Sequence, residues 1–265
     1  MIILTGNNGF IGKAFENKLN HKDLYRVEAE GAFKFLEEYE DWDNVEFILH
    51  QGAISSTIET DVEKIYKYNI DFSIKLFEKA IEYKIPVKYA SSASVYGKML
   101  TGIINPLNFY AISKVTVDYW VQDHIDEFLL VQGFRYFNVY GKGEDHKGNQ
   151  ASPVQKFTEQ IKEDGKLKLF EGSHKFQRDF ICVDDIVNIV LDNDKPSGIY
   201  DLGTSNPTSF QEVAELIATK YNGEIEYIPF PDHLKGKYQA YTCAEEEWGD
   251  YEFKTVRNYV ENHLG

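Results

Sequence analysis

The chain has 265 residues, 43% of them hydrophobic, enough for one large domain or two unequal ones around an ample core. Its formal net charge of −15 argues against nucleic acid or an anionic membrane as a partner, though an anionic small molecule could still bind in a locally basic pocket. The two cysteines, Cys182 and Cys243, match no metal-ligand spacing, and the apolar start carries no charged leader, so the expectation is a cytoplasmic protein without metal, signal peptide or transmembrane segment.

Met1 to Thr5 is a short apolar run that predicts a buried strand. Gly6, Gly9 and Gly12 follow at G-x-x-G-x-x-G spacing, and Ile11, Phe15 and Leu19 then recur at helical spacing. Strand, glycine turn and helix in that order suit a dinucleotide pyrophosphate, because backbone can approach it and the helix N-terminus faces its charge. A tight structural turn is the alternative for the same glycines. Leu24 to Glu28 predicts a second strand ending in an acid, about 16 residues after the last glycine, where a ribose 2′-hydroxyl would be bound. Glu28 and Glu30 would repel a 2′-phosphate, which favours NAD over NADP; an ordinary surface glutamate is the competing reading.

Phe33 to Tyr39 predicts a helix, and Val45 to His50 a strand that runs into Gln51-Gly52-Ala53. Residues 62–83 predict one long helix with Ile65, Tyr68, Phe72, Leu76 and Ala80 on a single stripe. Pro86 to Ser92 is a further strand, a helix carries Tyr110 on to about Phe128, and Leu129 to Tyr136 is the next strand. This alternation argues for an α/β fold, a Rossmann-type doubly wound parallel sheet. The connection from Glu28 to Val45 is too short for a strand and a helix of usual length, so one sheet strand is expected to be missing or minimal.

After Gly141 the texture changes, and residues 142–149 form a polar, glycine-rich loop. Pro153 to Asp164 reads as a helix, Lys168 to Phe170 as a strand, and Arg178 to Val183 as a strand leading into a helix through Asp192. Ile199 to Gly203 and Glu224 to Ile228 are further strands, Phe210, Val213, Leu216 and Ile217 mark a helix, and a last helix starts near Thr255. The expected organisation is an NAD-binding domain over 1–141, with about 178–204 returning to its sheet, and a smaller C-terminal α+β substrate lobe from 142–177 and 205–265. A cleft between two lobes is a usual place for a ligand.

The chemistry concentrates at Ser92, Tyr110 and Lys114. A tyrosine and a lysine four residues apart on a helix project from one face. An ammonium close to a phenol lowers its pKa from about 10, so the tyrosine can take a proton from a substrate hydroxyl near neutral pH. Ser92, at a strand end, could hydrogen-bond the same hydroxyl. With 18 tyrosines in the chain, an accidental surface pair is the rival explanation.

Together the glycine triplet, Ser91-Ser92-Ala93-Ser94-Val95-Tyr96-Gly97, Tyr110-x-x-x-Lys114 and Arg135 through Gly141 resemble the extended short-chain dehydrogenase/reductases, the NAD-dependent epimerase/dehydratase family. His50 through Thr57, Asp145-His146-Lys147-Gly148, Leu169 through Ser173, Gln177 through Phe180 and Tyr227 through Tyr241 resemble, more narrowly, its heptose 6-epimerase branch, which serves lipopolysaccharide biosynthesis. The resemblance implies a nucleotide-sugar epimerase with bound NAD, NADP being the alternative, working as a homo-oligomer. It implies Ser92, Tyr110 and Lys114 as the active-site triad and Lys147 as a second acid/base. It implies cofactor contacts at Gly6, Gly9, Phe10, Ile11, Gly12, Glu28, Gln51, Gly52, Ala53, Asn69, Tyr110, Lys114 and Phe137. Substrate contacts fall at Ser92, Asn138, Lys147, Arg178 and Tyr238, with His50, Ser55, Ser56, Lys235, Lys237 and Gln239 lining the sugar-nucleotide pocket. The region after Glu28 and the loop over 97–108 are shorter than is usual in the family. A 4,6-dehydratase would need an Asp-Glu pair where Ala93-Ser94 stands. A UDP-sugar 4-epimerase or reductase shares the scaffold, and a non-catalytic nucleotide-binding protein would have no need of an activated phenol.

Overall fold

The computed structural model describes residues 1–98, 101–232, 239–245 and 248–264. In chain order its elements are β1 (Ile2–Thr5), α1 (Phe10–Lys18), β2 (Leu24–Val27), α2 (Ala32–Glu38), β3 (Phe47–His50), α3 (Val62–Ile65), α4 (Phe72–Glu82), β4 (Val87–Ser92), α5 (Phe109–Asp123) and β5 (Val131–Tyr136). There follow β6 (Asn138–Tyr140), α6 (Pro153–Asp164), β7 (Lys166–Phe170), β8 (Gln177–Arg178), β9 (Phe180–Cys182), α7 (Val183–Asp192), β10 (Gly198–Leu202), β11 (Thr208–Ser209), α8 (Phe210–Tyr221), β12 (Glu224–Ile228) and α9 (Val256–Asn262).

The chain divides into two compact units, Met1–Gly97 with Ile104–Tyr136 and Val187–Tyr200, and Lys98–Ile103 with Phe137–Ile186 and Asp201–Gly265. The boundaries expected at 141 and 178 therefore shift, and residues 137–141, 178–186 and 201–204 join the second unit. Local pairing explains this. β6 lies parallel to β9 with Asn138 opposite Phe180, Phe137 N donates to Leu202 O, and Asn138 N donates to Asp179 O. The strand expected over Arg178 to Val183 is split at Asp179, whose fully buried carboxylate accepts from Thr204 N and Oγ1, Ser205 N and Ala244 N. A second core forms around Tyr140, Phe157, Leu167, Phe180, Val213 and Ile217.

The first unit holds a six-stranded sheet in the order β10-β5-β4-β3-β1-β2, with β2, β1, β3, β4 and β5 paired in parallel. Ile2, Ile3, Leu4, Ile48 and Leu49 are buried, as in a sheet covered on both faces. Strand order reverses between β1 and β3, the place where open α/β sheets bind ligands. Among the described residues no strand lies outside β2; after the seven residues of α2 the chain passes through a 3₁₀ turn at Trp42–Asn44 to β3, so β2 is the sheet edge.

Residues 62–83 do not form one α-helix. Tyr66–Asp71 coil as a π-helix between α3 and α4. The wider turn shifts the stripe, so Ile65, Asn69, Phe72, Ser73, Leu76 and Ala80 are buried while Tyr68 is only half-buried. Such turns often occur at functional sites. Here one brings a polar residue, Asn69, into the core.

Candidate active site

Gly6 turns at φ +69°, and a Cβ there would stand 2.5 Å from Gly52 Cα. A Cβ on Gly12 would stand 2.0 Å from Gly6 O, so α1 packs directly onto the turn. Gly9 is different: it is the N-cap of α1, makes no side-chain cap bond, and a Cβ there meets Gly6 O at 3.3 Å. Two glycines shape the turn, and the third keeps a helix N-terminus bare. Glu28, directly after β2, accepts from Asn8 N at 2.7 Å, which holds its carboxylate against that turn. Buried Asn7 Oδ1 and Gln51 Nε2 have no hydrogen-bond partner among the described residues, while Gln51 Oε1 accepts from Tyr136 OH at 3.0 Å. Orphaned buried polar atoms around a bare helix N-terminus fit a dinucleotide.

His50, expected along the sugar pocket, is a core residue instead, 2% exposed. Its Nδ1 lies 2.8 Å from Thr5 Oγ1 and its Nε2 2.8 Å from Ser73 Oγ. Thr5 Oγ1 accepts from Gly52 N, and Ser73 Oγ donates to Asn69 O. The Thr5 proton is thus left for Nδ1, and the ring proton sits on Nε2. Burial, with a smaller contribution from the charge of Lys114, pushes the His50 pKa down to about 3, so the imidazole is neutral. Asn69 Oδ1 accepts from Ile54 N at 2.7 Å, and its Nδ2 donates to Ile54 O at 3.1 Å and to Ser113 Oγ at 3.0 Å. Ser113 Oγ donates in turn to Tyr110 O at 2.7 Å. Both amide protons of Asn69 are therefore committed to protein, and the ribose contact implied by resemblance gives way to a tie between the loop after β3 and the Tyr110 helix.

That helix, α5, begins at a side-chain cap, with Asn108 Oδ1 accepting from Ala111 N at 2.8 Å. Just upstream, Asn105 N donates to Val95 O, and a Cβ on Gly97 would meet Asn105 O at 2.1 Å, so Asn105 lies tightly against the turn that follows β4. Lys114 is buried rather than on the surface, and its Nζ donates to Ala90 O at 2.7 Å and lies 5.9 Å from the Tyr110 ring centroid. Ser92, the last residue of β4, accepts from Ser94 N at 3.2 Å, and its hydroxyl acts on the Tyr110 phenol in the direction that favours the phenolate. Ser92, Tyr110 and Lys114 thus assemble within one unit. The expected depression of the phenol is not what these surroundings produce. Burial raises the Tyr110 pKa, the Ser92 hydroxyl opposes the rise, and Asp118 adds to it. Lys114 is itself pushed down to about 8 by burial, with Asp118 opposing. Its ammonium is turned to a backbone carbonyl, and its reduced basicity weakens any help to the phenol.

In the second unit, Lys147 belongs to a 3₁₀ segment over Asp145–Gln150 and is half-buried rather than solvated. Its Nζ lies 3.9 Å from Glu144 Oε2. Glu144 is 1% exposed and accepts from Gly141 N, Ser152 N and Ser152 Oγ. Burial lowers the Lys147 pKa and Glu144 opposes the fall. A lysine made less basic is suited to proton transfer. Glu144 had no role in the sequence reading; an acid three residues before the lysine was the only hint. Asn138 is exposed on β6, and Phe137 is buried. Arg178 is 6% exposed, donates to Gln177 O and Gln239 O, and lies 5.5 Å over the Phe210 ring. It is therefore a buried arginine anchored within its own unit, and resemblance implies that it approaches the substrate's phosphates. Tyr238, Lys235 and Lys237 lie outside the described residues. Among the described residues no His, Cys, Asp or Glu cluster suits a metal ion, and no helix is long and apolar enough to cross a membrane.

The model of the NAD dependent epimerase/dehydratase family matches residues 2–203. The chain belongs to this family. It is 39% identical to the ADP-L-glycero-D-manno-heptose-6-epimerase of Brachyspira hyodysenteriae, over 92% of this chain and 89% of that one. It is 37% identical to the enzyme of that name from Alkalilimnicola ehrlichii, over 100% of this chain and 96% of that one. The crystal structure of Helicobacter pylori ADP-L-glycero-D-manno-heptose-6-epimerase matches with a TM-score of 0.82 at 27% identity, covering 99% of this chain and 94% of that one. Membership of the epimerase/dehydratase family accords with the parallel sheet and makes NAD the expected occupant of the glycine turn.

Proposed function

We propose that this chain is a nucleotide-sugar epimerase that inverts C6 of an ADP-glycero-manno-heptose. The observation that carries the reading is the meeting of Ser92, Tyr110 and Lys114 in a chain 39% identical to a heptose 6-epimerase. NAD, when bound, supplies a reversible hydride acceptor and a positively charged ring. Gly6, Gly9 and Gly12 would receive its pyrophosphate, Glu28 its ribose hydroxyls, and Gln51 a polar edge. Tyr110 exchanges the proton of the substrate hydroxyl, and Ser92 steadies that oxygen. In the unliganded protein the phenol is neutral, so Tyr110 becomes a base only when positive charge arrives beside it.

Inversion requires the oxidised carbon to present its other face and a second proton donor to serve it. Lys147, with its lowered pKa and buried Glu144, is the proposed donor. Exposed Val62 and Tyr66, with Ile112 and Tyr119 of α5, offer an apolar surface suited to a second copy of the chain. Two unpaired cysteines fit a reducing cytoplasm. The test is incubation with ADP-heptose and NAD, read by proton NMR at C6. Interconversion of the two epimers is expected. Turnover of a different nucleotide sugar without it would remove the heptose assignment, and turnover of none would remove the enzyme.

A further inference from the structure

α5 carries a buried acid that the proposed chemistry does not use. Asp118 lies one turn beyond Lys114 and two beyond Tyr110, and is 3% exposed. Its Oδ1 accepts from Tyr89 OH at 3.0 Å, and its Oδ2 from Ser91 Oγ at 3.0 Å and Arg135 Nε at 2.9 Å. Burial raises the pKa of this acid, and Arg135, which can only donate to it, opposes the rise together with Ser91 and Tyr89, so the surroundings are built to hold a carboxylate. Tyr89 and Ser91 flank Ala90, whose carbonyl holds Lys114, and Ser91 immediately precedes Ser92. One face of α5 therefore grips three successive residues of β4 just before the serine.

We propose that Asp118 is a positioning residue for the epimerase reaction, its carboxylate clamping the Ser92 strand end to the Tyr110 helix and acting as the buried counter-charge of the Tyr110–Lys114 pair. This rests on the epimerase reading of that site. A negative charge here favours the Lys114 ammonium and disfavours the Tyr110 phenolate, so it raises the pKa of both. Lys114 sits at about 8 even with that support. The other ionisable groups around the network are His50 of β3, which is neutral, Tyr89 of β4, whose phenol burial and Asp118 keep protonated, and Arg135 of β5 with Tyr96, joined at 2.9 Å. Among the described residues Arg135 is the cation paired with Asp118, and it partly offsets its field.

Asp118→Asn keeps an acceptor and removes the charge. Both limbs of the bell-shaped pH dependence of kcat should then move to lower pH, by about one unit. In the unliganded protein Tyr110 should also titrate at lower pH, read as the phenolate absorbance missing from the matching Tyr110→Phe protein. Asp118→Glu should bring the limbs back toward their wild-type positions. Arg135→Gln leaves the carboxylate less neutralised and should move them to higher pH, and it carries the test alone if the asparagine variant does not fold. A folded Asp118→Asn protein with a lower kcat but unmoved limbs and an unmoved Tyr110 titration would overturn the counter-charge, as would a shift to lower pH in Arg135→Gln. If wild-type protein turns over no nucleotide sugar, the epimerase reading fails, and the Tyr110 titration still decides for or against Asp118.

Discussion

His50 and Thr5 are register partners on neighbouring strands, and their side chains are joined as well, Nδ1 to Oγ1 at 2.8 Å. The pair makes acid sensitivity a property of the core. The imidazole titrates near 6.5 in the unfolded chain and near 3 in the folded one. Above about pH 6.5 neither state binds the proton, and His50 leaves stability independent of pH. Below it the unfolded chain gains a proton that the folded chain refuses, so stability falls as pH drops from 6.5 toward 3. The loss between pH 7 and 5 should be about 2 kcal/mol. His50→Gln should unfold about 1–3 kcal/mol more easily at pH 7 but with a shallower acid slope. Denaturant titrations at the two pH values check this, and parallel slopes would mean the sensitivity lies elsewhere.

The three glycines should fail in different ways. A methyl on Gly12 would meet a backbone oxygen, which no rotamer can relieve. Gly12→Ala should lose several kcal/mol or fail to accumulate as folded protein. Gly9→Ala should melt close to wild type and bind NAD about tenfold or more weakly by calorimetry. Undiminished binding by a folded Gly9→Ala protein would remove the pyrophosphate from the α1 N-terminus.

Glu28→Gln keeps an acceptor for Asn8 N and drops the charge that a 2′-phosphate would meet. The preference for NAD over NADP, measured as a ratio of Kd values, should shrink by about tenfold. An unchanged ratio would assign the discrimination to another residue.

Lys147→Ala should lower epimerisation about 100-fold or more while the melting temperature stays near wild type. Lys147→Arg keeps the charge but offers a group that does not give up its proton, so it should not rescue. Recovery in the arginine variant would leave Lys147 an electrostatic role only.

The opening strand, the glycine turn and the alternation through Tyr136 were legible because each follows from hydrophobic period and glycine spacing. The missing strand after Glu28 was legible from chain length alone. What sequence hid depends on partners far along the chain. Tyr68 was placed on the buried stripe because a 3.6-residue period was assumed, and the π-turn broke that period. Resemblance puts His50 along the pocket, and nothing local in the sequence reveals that its hydroxyl partners, Thr5 and Ser73, sit 45 and 23 residues away. The four-residue spacing of Tyr110 and Lys114 correctly gave a shared face, but spacing does not report burial. Burial is what reverses the shift of the phenol. The same holds for Arg178, whose guanidinium rests on carbonyls and a ring that only the fold supplies.

The π-turn over Tyr66–Asp71 also sets a limit on how this protein can be improved. A designer seeking heat resistance would regard it as a flaw, since removing one residue would let α3 and α4 run on as a regular helix with better backbone geometry. That repair would rotate Asn69 by about 100° and detach it from Ile54 and Ser113. The stabilised chain would have lost the tie to the Tyr110 helix, so at this segment robustness and turnover are in competition.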